Sequence, residues 1–135
     1  RQILKSTKLM TKIFLVIASI LGGLSVVAGS FASHALKEKL SQYSLDIFQT
    51  GARLQMYHSL ALLMVAFLLI IEEPPQSLMV VAGYAFITGI VIFSGSLYAL
   101  SITGIKWLGA ITPIGGVVLI VGWSCMAIAG WNLKL

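Results

Sequence analysis

Residues 13–36 read IFLVIASILGGLSVVAGSFASHAL, a run without Asp, Glu, Lys or Arg. An α-helix needs roughly 20 apolar residues to cross the hydrocarbon core of a bilayer, and this run exceeds that length. A helix buried in a soluble core is usually shorter and keeps a polar stripe. The run is also longer than the apolar core of a signal peptide. We therefore expect it to be a retained membrane span.

Three further charge-free runs follow along the chain, at residues 54–71, 76–105 and 107–133. Each meets or nearly meets the length of a membrane span. The sequence therefore predicts an all-α integral membrane protein with one membrane domain over residues 1–135. Its fold is predicted to be a four-transmembrane-helix bundle, with spans at residues 13–36, 54–71, 78–100 and 107–131.

The composition agrees with this fold class and narrows the functions. Charged residues make up 10% of the chain and hydrophobic residues 59%, whereas about a quarter of a soluble domain is charged. The net charge is +5, but the basic residues lie beside the spans, where they bind phosphate headgroups. We therefore expect the lipid bilayer, and not nucleic acid, to be the partner. Four spans with short connections leave no room for an extramembrane enzyme domain.

The connection between the first two spans carries an amphipathic pattern. Leu40, Tyr43 and Phe48 fall on one helical face, while the charged residues fall mostly elsewhere. This pattern is typical of a short helix that lies in the membrane interface. We predict such an interfacial helix over residues 37–50, bending into the second span near Gly51. A solvated loop is the alternative.

Prolines mark two other predicted features. Glu72, Glu73, Pro74 and Pro75 cannot continue a membrane helix, so they predict a tight exposed turn. Pro113 falls inside the predicted fourth span and predicts a helix kink there, because proline removes one backbone hydrogen bond.

Small residues recur at helical spacing in three of the spans. Such residues let helices approach closely in a membrane, where lipid removes the hydrophobic drive for association. The predicted helix-packing residues are Ser25, Gly29 and Ser33 in span one, Gly89 and Ser96 in span three, and Gly115 and Gly122 in span four.

Polar residues at the junction of the first two spans form a candidate ligand-binding site. The predicted members are His34, Arg53, Gln55, Tyr57 and His58. Ionisable groups inside membranes usually face the bundle interior and find partners, so a structural hydrogen-bond cluster is the first interpretation. A lipid phosphate, a quinone carbonyl or a proton is the second. Ligation of haem by the two histidines is the third.

Several motifs together resemble one known family. They are Gly29-Ser30-Phe31-Ala32-Ser33-His34-Ala35-Leu36-Lys37, Phe48-Gln49-Thr50-Gly51, Gln55-Met56-Tyr57-His58-Ser59-Leu60-Ala61-Leu62, Phe93-Ser94-Gly95-Ser96-Leu97-Tyr98, Thr112-Pro113-Ile114-Gly115-Gly116 and Gly122-Trp123. The chain resembles the domain-of-unknown-function 423 family, also called transmembrane protein 256-like or UPF0382 small membrane proteins. The resemblance implies a four-helix protein of the bacterial inner (plasma) membrane, with the thylakoid or mitochondrial inner membrane as alternatives. It implies no known activity.

The sequence contains no set of residues that indicates catalysis. It shows no nucleophile with a base and an orienting group, no metal-ligand spacing and no phosphate loop. We therefore expect a non-enzymatic protein without a cofactor or metal. The predicted function is that of an accessory or stabilising subunit of a larger membrane complex, or of a homo-oligomer. The alternatives are a small transporter or channel, and a lipid- or quinone-binding membrane protein.

Overall fold

The computed structural model describes residues 1–72 and 76–134, and every regular element in these ranges is helical. The elements are α1 (Gln2–Phe31), a π-helical turn (Ala32–Leu36), α2 (Gln42–Ile71), α3 (Ser77–Thr103), a 3-10 turn (Lys106–Ala110) and α4 (Thr112–Trp131). Four helices, counted with their adjoining turns, are long and apolar enough to cross a membrane. The prediction of an all-helical chain with four such helices is confirmed.

The helices α2 and α3 form the centre of the bundle. Helix α2 packs against α1 and α3, and α3 packs in turn against α4. In the most apolar part of each helix, 44% of the residues are buried in α2 and α3 but only 17% in α1 and α4. Most apolar side chains of the outer helices α1 and α4 therefore lie outside the buried core of the bundle. The largest fully buried side chains include Phe14, Leu62, Val65, Met79 and Phe86.

Helix α2 begins earlier than the second span predicted from the sequence. The Ser41 hydroxyl accepts a hydrogen bond from the backbone N–H of Ser44 at 3.1 Å and caps the helix. From there the helix runs through Gly51 to Ile71 without a break. Residues 42–50 are thus the first turns of α2.

The predicted interfacial helix over residues 37–50 is therefore wrong. Its apolar stripe does not lie as one face on the bilayer surface. Phe48 of the stripe is buried in one cluster with Leu45 and with Ala32 and Leu36 of the π-helical turn, whereas Tyr43 is 75% exposed. An amphipathic stripe has the same spacing whether it packs on lipid or on another helix.

The connection between α2 and α3 is more buried at its start than the sequence predicts. Glu72 is only 8% exposed, and its carboxylate oxygens accept hydrogen bonds from Gln76 Nε2 at 2.9 and 3.1 Å. The same amide nitrogen donates to the Ala129 carbonyl of α4 at 2.8 Å. Gln76 therefore joins three helix ends at one face of the bundle. The predicted turn residues Glu73, Pro74 and Pro75 lie outside the described ranges.

Pro113 lies in the first turn of α4, directly after the 3-10 turn Lys106–Ala110. A proline at this position lacks only an N–H that the first turn leaves unpaired in any case. Pro113 therefore stands at the start of α4 and not in the interior of an α-helix, and a kink at this position stays a prediction. The change of helix type precedes the proline.

Helices α3 and α4 touch through their glycines. A Cβ atom added at Gly115 would lie 2.5 Å from the backbone nitrogen of Phe93, and one added at Gly122 would lie 2.8 Å from the Phe86 ring. A Cβ atom at Gly89 would overlap the side chain of Leu119. The missing side chains thus allow the close approach of the two helices. The hydroxyls of Ser96 and Thr112 add a hydrogen bond across the same contact, at 2.6 Å.

The small residues of α1 are arranged differently. Ser25 is buried, and its hydroxyl donates to the Gly22 carbonyl of its own helix at 2.6 Å. A Cβ atom at Gly29 would meet no atom within 4 Å, and Ser33 is exposed. The predicted packing stripe of α1 therefore borders open space between α1 and α2 along most of its length.

Candidate functional site

The five residues of the predicted ligand site do not come together. Gln55 and His58 are buried in the bundle, at 5% and 6% exposure, whereas His34, Arg53 and Tyr57 are exposed. Gln55 and His58 are three positions apart and share the inner face of α2, as the sequence predicts. The structure thus separates a buried polar pair from three residues on the surface of the bundle.

His58 is held by hydrogen bonds at both ring nitrogens. Trp123 Nε1–H of α4 donates to His58 Nε2 at 3.0 Å, and His58 Nδ1 lies 2.7 Å from the Leu54 carbonyl oxygen. An indole N–H can only donate, so Nε2 must accept. A carbonyl can only accept, so Nδ1 must carry the proton. The network therefore assigns a neutral imidazole in a single tautomer.

Aromatic rings surround this imidazole. The ring centroids of His58, Phe86 and Trp123 lie 5.1 to 5.8 Å apart in pairs. Haem ligation would require a free imidazole nitrogen on each histidine, turned toward the other. In His58 both nitrogens are already engaged, and His34 is exposed on a different helix. This geometry does not support the haem alternative.

Gln55 joins three helices through one amide. Its Nε2 donates to the Leu21 carbonyl of α1 at 2.7 Å, and its Oε1 accepts from the Tyr98 hydroxyl of α3 at 2.6 Å. The Tyr98 ring packs closely over Gly51, where an added Cβ atom would lie 2.9 Å from Cε1. The amide is therefore a structural link whose polar atoms are bonded within the bundle.

Sequence reasoning did not identify two partners in this network. Ser94 appeared in the sequence only as part of a motif, but its hydroxyl donates to the Gly51 carbonyl of α2 at 2.7 Å. Tyr98 appeared in the sequence only as part of a motif.

Two hollows flank α1. The α1–α2 groove has a volume of about 360 Å³ and is lined by Ser25, Gly29, Ser33, Gln49, Ala52, Arg53 and Met56. The α1–α3 cleft has a volume of about 310 Å³, and Gln55, Ser94 and Tyr98 are its polar residues. Of the exposed residues in the predicted site, only Arg53 lines either hollow.

Most of the buried network lies within a segment that known proteins share. Residues 28–116 match the family described as "Protein of unknown function (DUF423)". The chain belongs to the DUF423 family. The matched segment of this DUF423 protein contains Gln55, His58 and Tyr98, and it ends before Trp123. The resemblance predicted from the sequence motifs is confirmed.

The names of the curated relatives describe membrane proteins and mention no activity. The UPF0382 membrane protein YwdK of Bacillus subtilis is 42% identical over 118 residues, which are 87% of this chain and 95% of the relative. A UPF0382 membrane protein of Staphylococcus epidermidis is 40% identical over 118 residues, covering 87% and 94% of the two chains. UPF0382 membrane protein SSP2132 of Staphylococcus saprophyticus is 38% identical over 122 residues, covering 90% and 99%. No solved structure matches the chain.

Proposed function

We propose that this DUF423 protein is not an enzyme and acts by packing against other transmembrane helices. It would serve as an accessory or stabilising subunit of a larger membrane complex, or as a homo-oligomer. The named relatives come from Bacillus and Staphylococcus. This origin favours the bacterial plasma membrane over a thylakoid or mitochondrial inner membrane.

The observation that carries the proposal is Gly23, on the outward face of α1. It is exposed, and a Cβ atom there would meet nothing within 4 Å. Glycine inside a helix costs about 1 kcal/mol relative to alanine. No described residue of this chain packs into the space that the missing side chain leaves at Gly23. Ser19 and Ser30 are exposed on the same side of α1. Small residues on a lipid-facing surface admit a second helix at short distance.

The buried polar groups support packing over transport. Within the described residues, no buried side-chain nitrogen or oxygen lacks a hydrogen-bond partner. A channel or transporter needs polar groups that line a path open to water or substrate. Instead, Gln55 bonds to α1 and α3, His58 accepts from α4, and Ser94 donates to α2.

Gentle purification of the tagged chain from its own membrane tests the proposal. We expect a stoichiometric membrane partner, or a second, differently tagged copy, to co-purify. Gly23→Leu should release it, because the leucine side chain would hold the second helix away. Gly130→Leu is the matched control, since Gly130 of α4 is equally open.

A monomeric chain without a partner would contradict the proposal, as would a complex that survives Gly23→Leu. Solute flux in proteoliposomes that Gly23→Leu leaves intact would favour the transporter alternative.

A further inference from the structure

We propose that the α1–α2 groove binds one anionic phospholipid, with the headgroup phosphate at Arg53 and an acyl chain along Gly29 and Met56. This site is distinct from the outward face of α1 around Gly23, so the two proposals are independent.

The groove changes from polar to apolar along its length. Ser33 and Gln49 lie toward the connection between α1 and α2, Gly29 and Arg53 lie about one helical turn further in, and Ser25 and Met56 lie deepest. At 1.5 Å per helical residue, Gln49 and Met56 are about 10 Å apart along α2. An amphipathic lipid has the same order of chemistry, with a polar head at the membrane surface and an apolar chain below it.

The cation at the polar end has no anionic partner in the described part of the chain. The Arg53 guanidinium donates to the Thr50 hydroxyl at 3.2 Å, and no ion pair joins it to a carboxylate. A guanidinium carries five N–H donors in a fixed fork, which suits a phosphate oxygen pair. The side-chain amide of Gln49 lines the same groove and adds further donors. This charge and these donors favour an anionic headgroup over a zwitterionic one.

The deeper part of the groove suits an acyl chain. The space above Gly29 is open, and Ser25 at the inner end is already bonded to its own helix. Below the level of Arg53, the described residues that line the groove therefore present no unpaired polar side chain. The groove, with a volume of about 360 Å³, is open on one side, so an acyl chain can lie along it without being enclosed.

Native mass spectrometry of the full chain in mild detergent tests the site. The probes are phosphatidylglycerol and phosphatidylcholine with identical acyl chains. We expect one phosphatidylglycerol to be retained in preference to phosphatidylcholine. Arg53→Gln should weaken its binding about fivefold and remove the preference, which is the effect of one basic group at a membrane surface. Lys39→Gln is the control, because Lys39 is an exposed cation in the α1–α2 connection.

A second pair of variants tests the acyl part of the site. Gly29→Leu should lower the retention of both lipids, because the new side chain enters the open groove. Gly23→Leu makes the same substitution on the outward face and should leave lipid retention unchanged. Conversely, Gly29→Leu should not release a protein partner.

Three results would overturn the lipid site. They are equal retention of the two lipids by the unmodified chain, equal losses in Arg53→Gln and Lys39→Gln, and full retention in Gly29→Leu. None of these results bears on the proposed packing function, which depends on Gly23.

Discussion

The outer helices α1 and α4 are buried to the same small extent, but they are attached to the bundle in different ways. In α4, Gly115 and Gly122 lie directly against Phe93 and Phe86 of α3. In α1, Gly23 and Gly29 have no neighbour within reach of a Cβ atom. A glycine in a membrane helix therefore marks a close contact only where another molecule or helix packs against it. For the glycines of α4 this is α3 of the same chain. For those of α1 we propose a helix of another chain at Gly23 and a lipid at Gly29.

The largest expected effect lies in the α3–α4 contact. Gly115→Ala would place a Cβ atom 2.5 Å from the backbone nitrogen of Phe93, so one helix must move. Overpacking of this kind costs about 2–3 kcal/mol. Thermal unfolding in mild detergent should show a clearly lower midpoint. Gly130→Ala, on the open side of the same helix, is the control. An unchanged midpoint in Gly115→Ala would remove the distinction between the two outer helices.

Next in size is the hydrogen bond between α4 and α2. Trp123→Phe keeps the aromatic packing but leaves His58 Nε2 without its donor. We expect a loss of about 1–2 kcal/mol of unfolding free energy. A double-mutant cycle with His58→Phe isolates the interaction, and a coupling energy near zero would show that the bond contributes nothing to the attachment of α4.

A smaller loss is expected on the α1 side. Tyr98→Phe removes the hydroxyl that donates to Gln55, the residue that links α1 to the centre. Hydrogen bonds between membrane helices contribute about 1 kcal/mol. The unfolding free energy should fall by this amount, while Tyr57→Phe on the exposed side of α2 should change nothing. Equal effects in the two variants would contradict a structural role for the Gln55 link.

The smallest expected effect has the opposite sign. Gly29→Ala meets no atom within 4 Å, so it should raise stability by about 0.5 kcal/mol through the better helix propensity of alanine. The measurement is the same unfolding midpoint. A destabilised Gly29→Ala would mean that α1 approaches α2 at this position as closely as α4 approaches α3.

The membrane architecture could be predicted from the sequence because an uncharged run of sufficient length has few other stable forms. The region 37–50 could not, because its amphipathic stripe fits an interface and a helix–helix contact equally well. Ser41 is nevertheless a residue type that commonly caps helix N-termini, so the sequence does contain a signal for the start of α2. The sequence also does not show that Pro113 stands at the start of α4, where a 3-10 turn gives way to an α-helix.

The candidate site was predictable only within one helix. The spacing of Gln55 and His58 puts both on one face of α2, and both are buried as expected. Their partners lie on other helices, 43 residues later at Tyr98 and 65 residues later at Trp123. Which residue meets which depends on the rotation and register of the packed helices. Local sequence does not encode these two quantities.

The distance along the chain between His58 and Trp123 has a consequence for the order of synthesis. The histidine emerges from the ribosome 65 residues ahead of the only described side chain that bonds its Nε2. At about 5–20 residues per second, this interval lasts about 3–13 s. During it, Nε2 of the His58 imidazole lacks its donor, and for most of it the Gln55 amide oxygen also lacks its donor Tyr98. Early release of α2 into lipid would expose both groups to hydrocarbon, so the first two helices are best kept in the insertion machinery until the last one arrives.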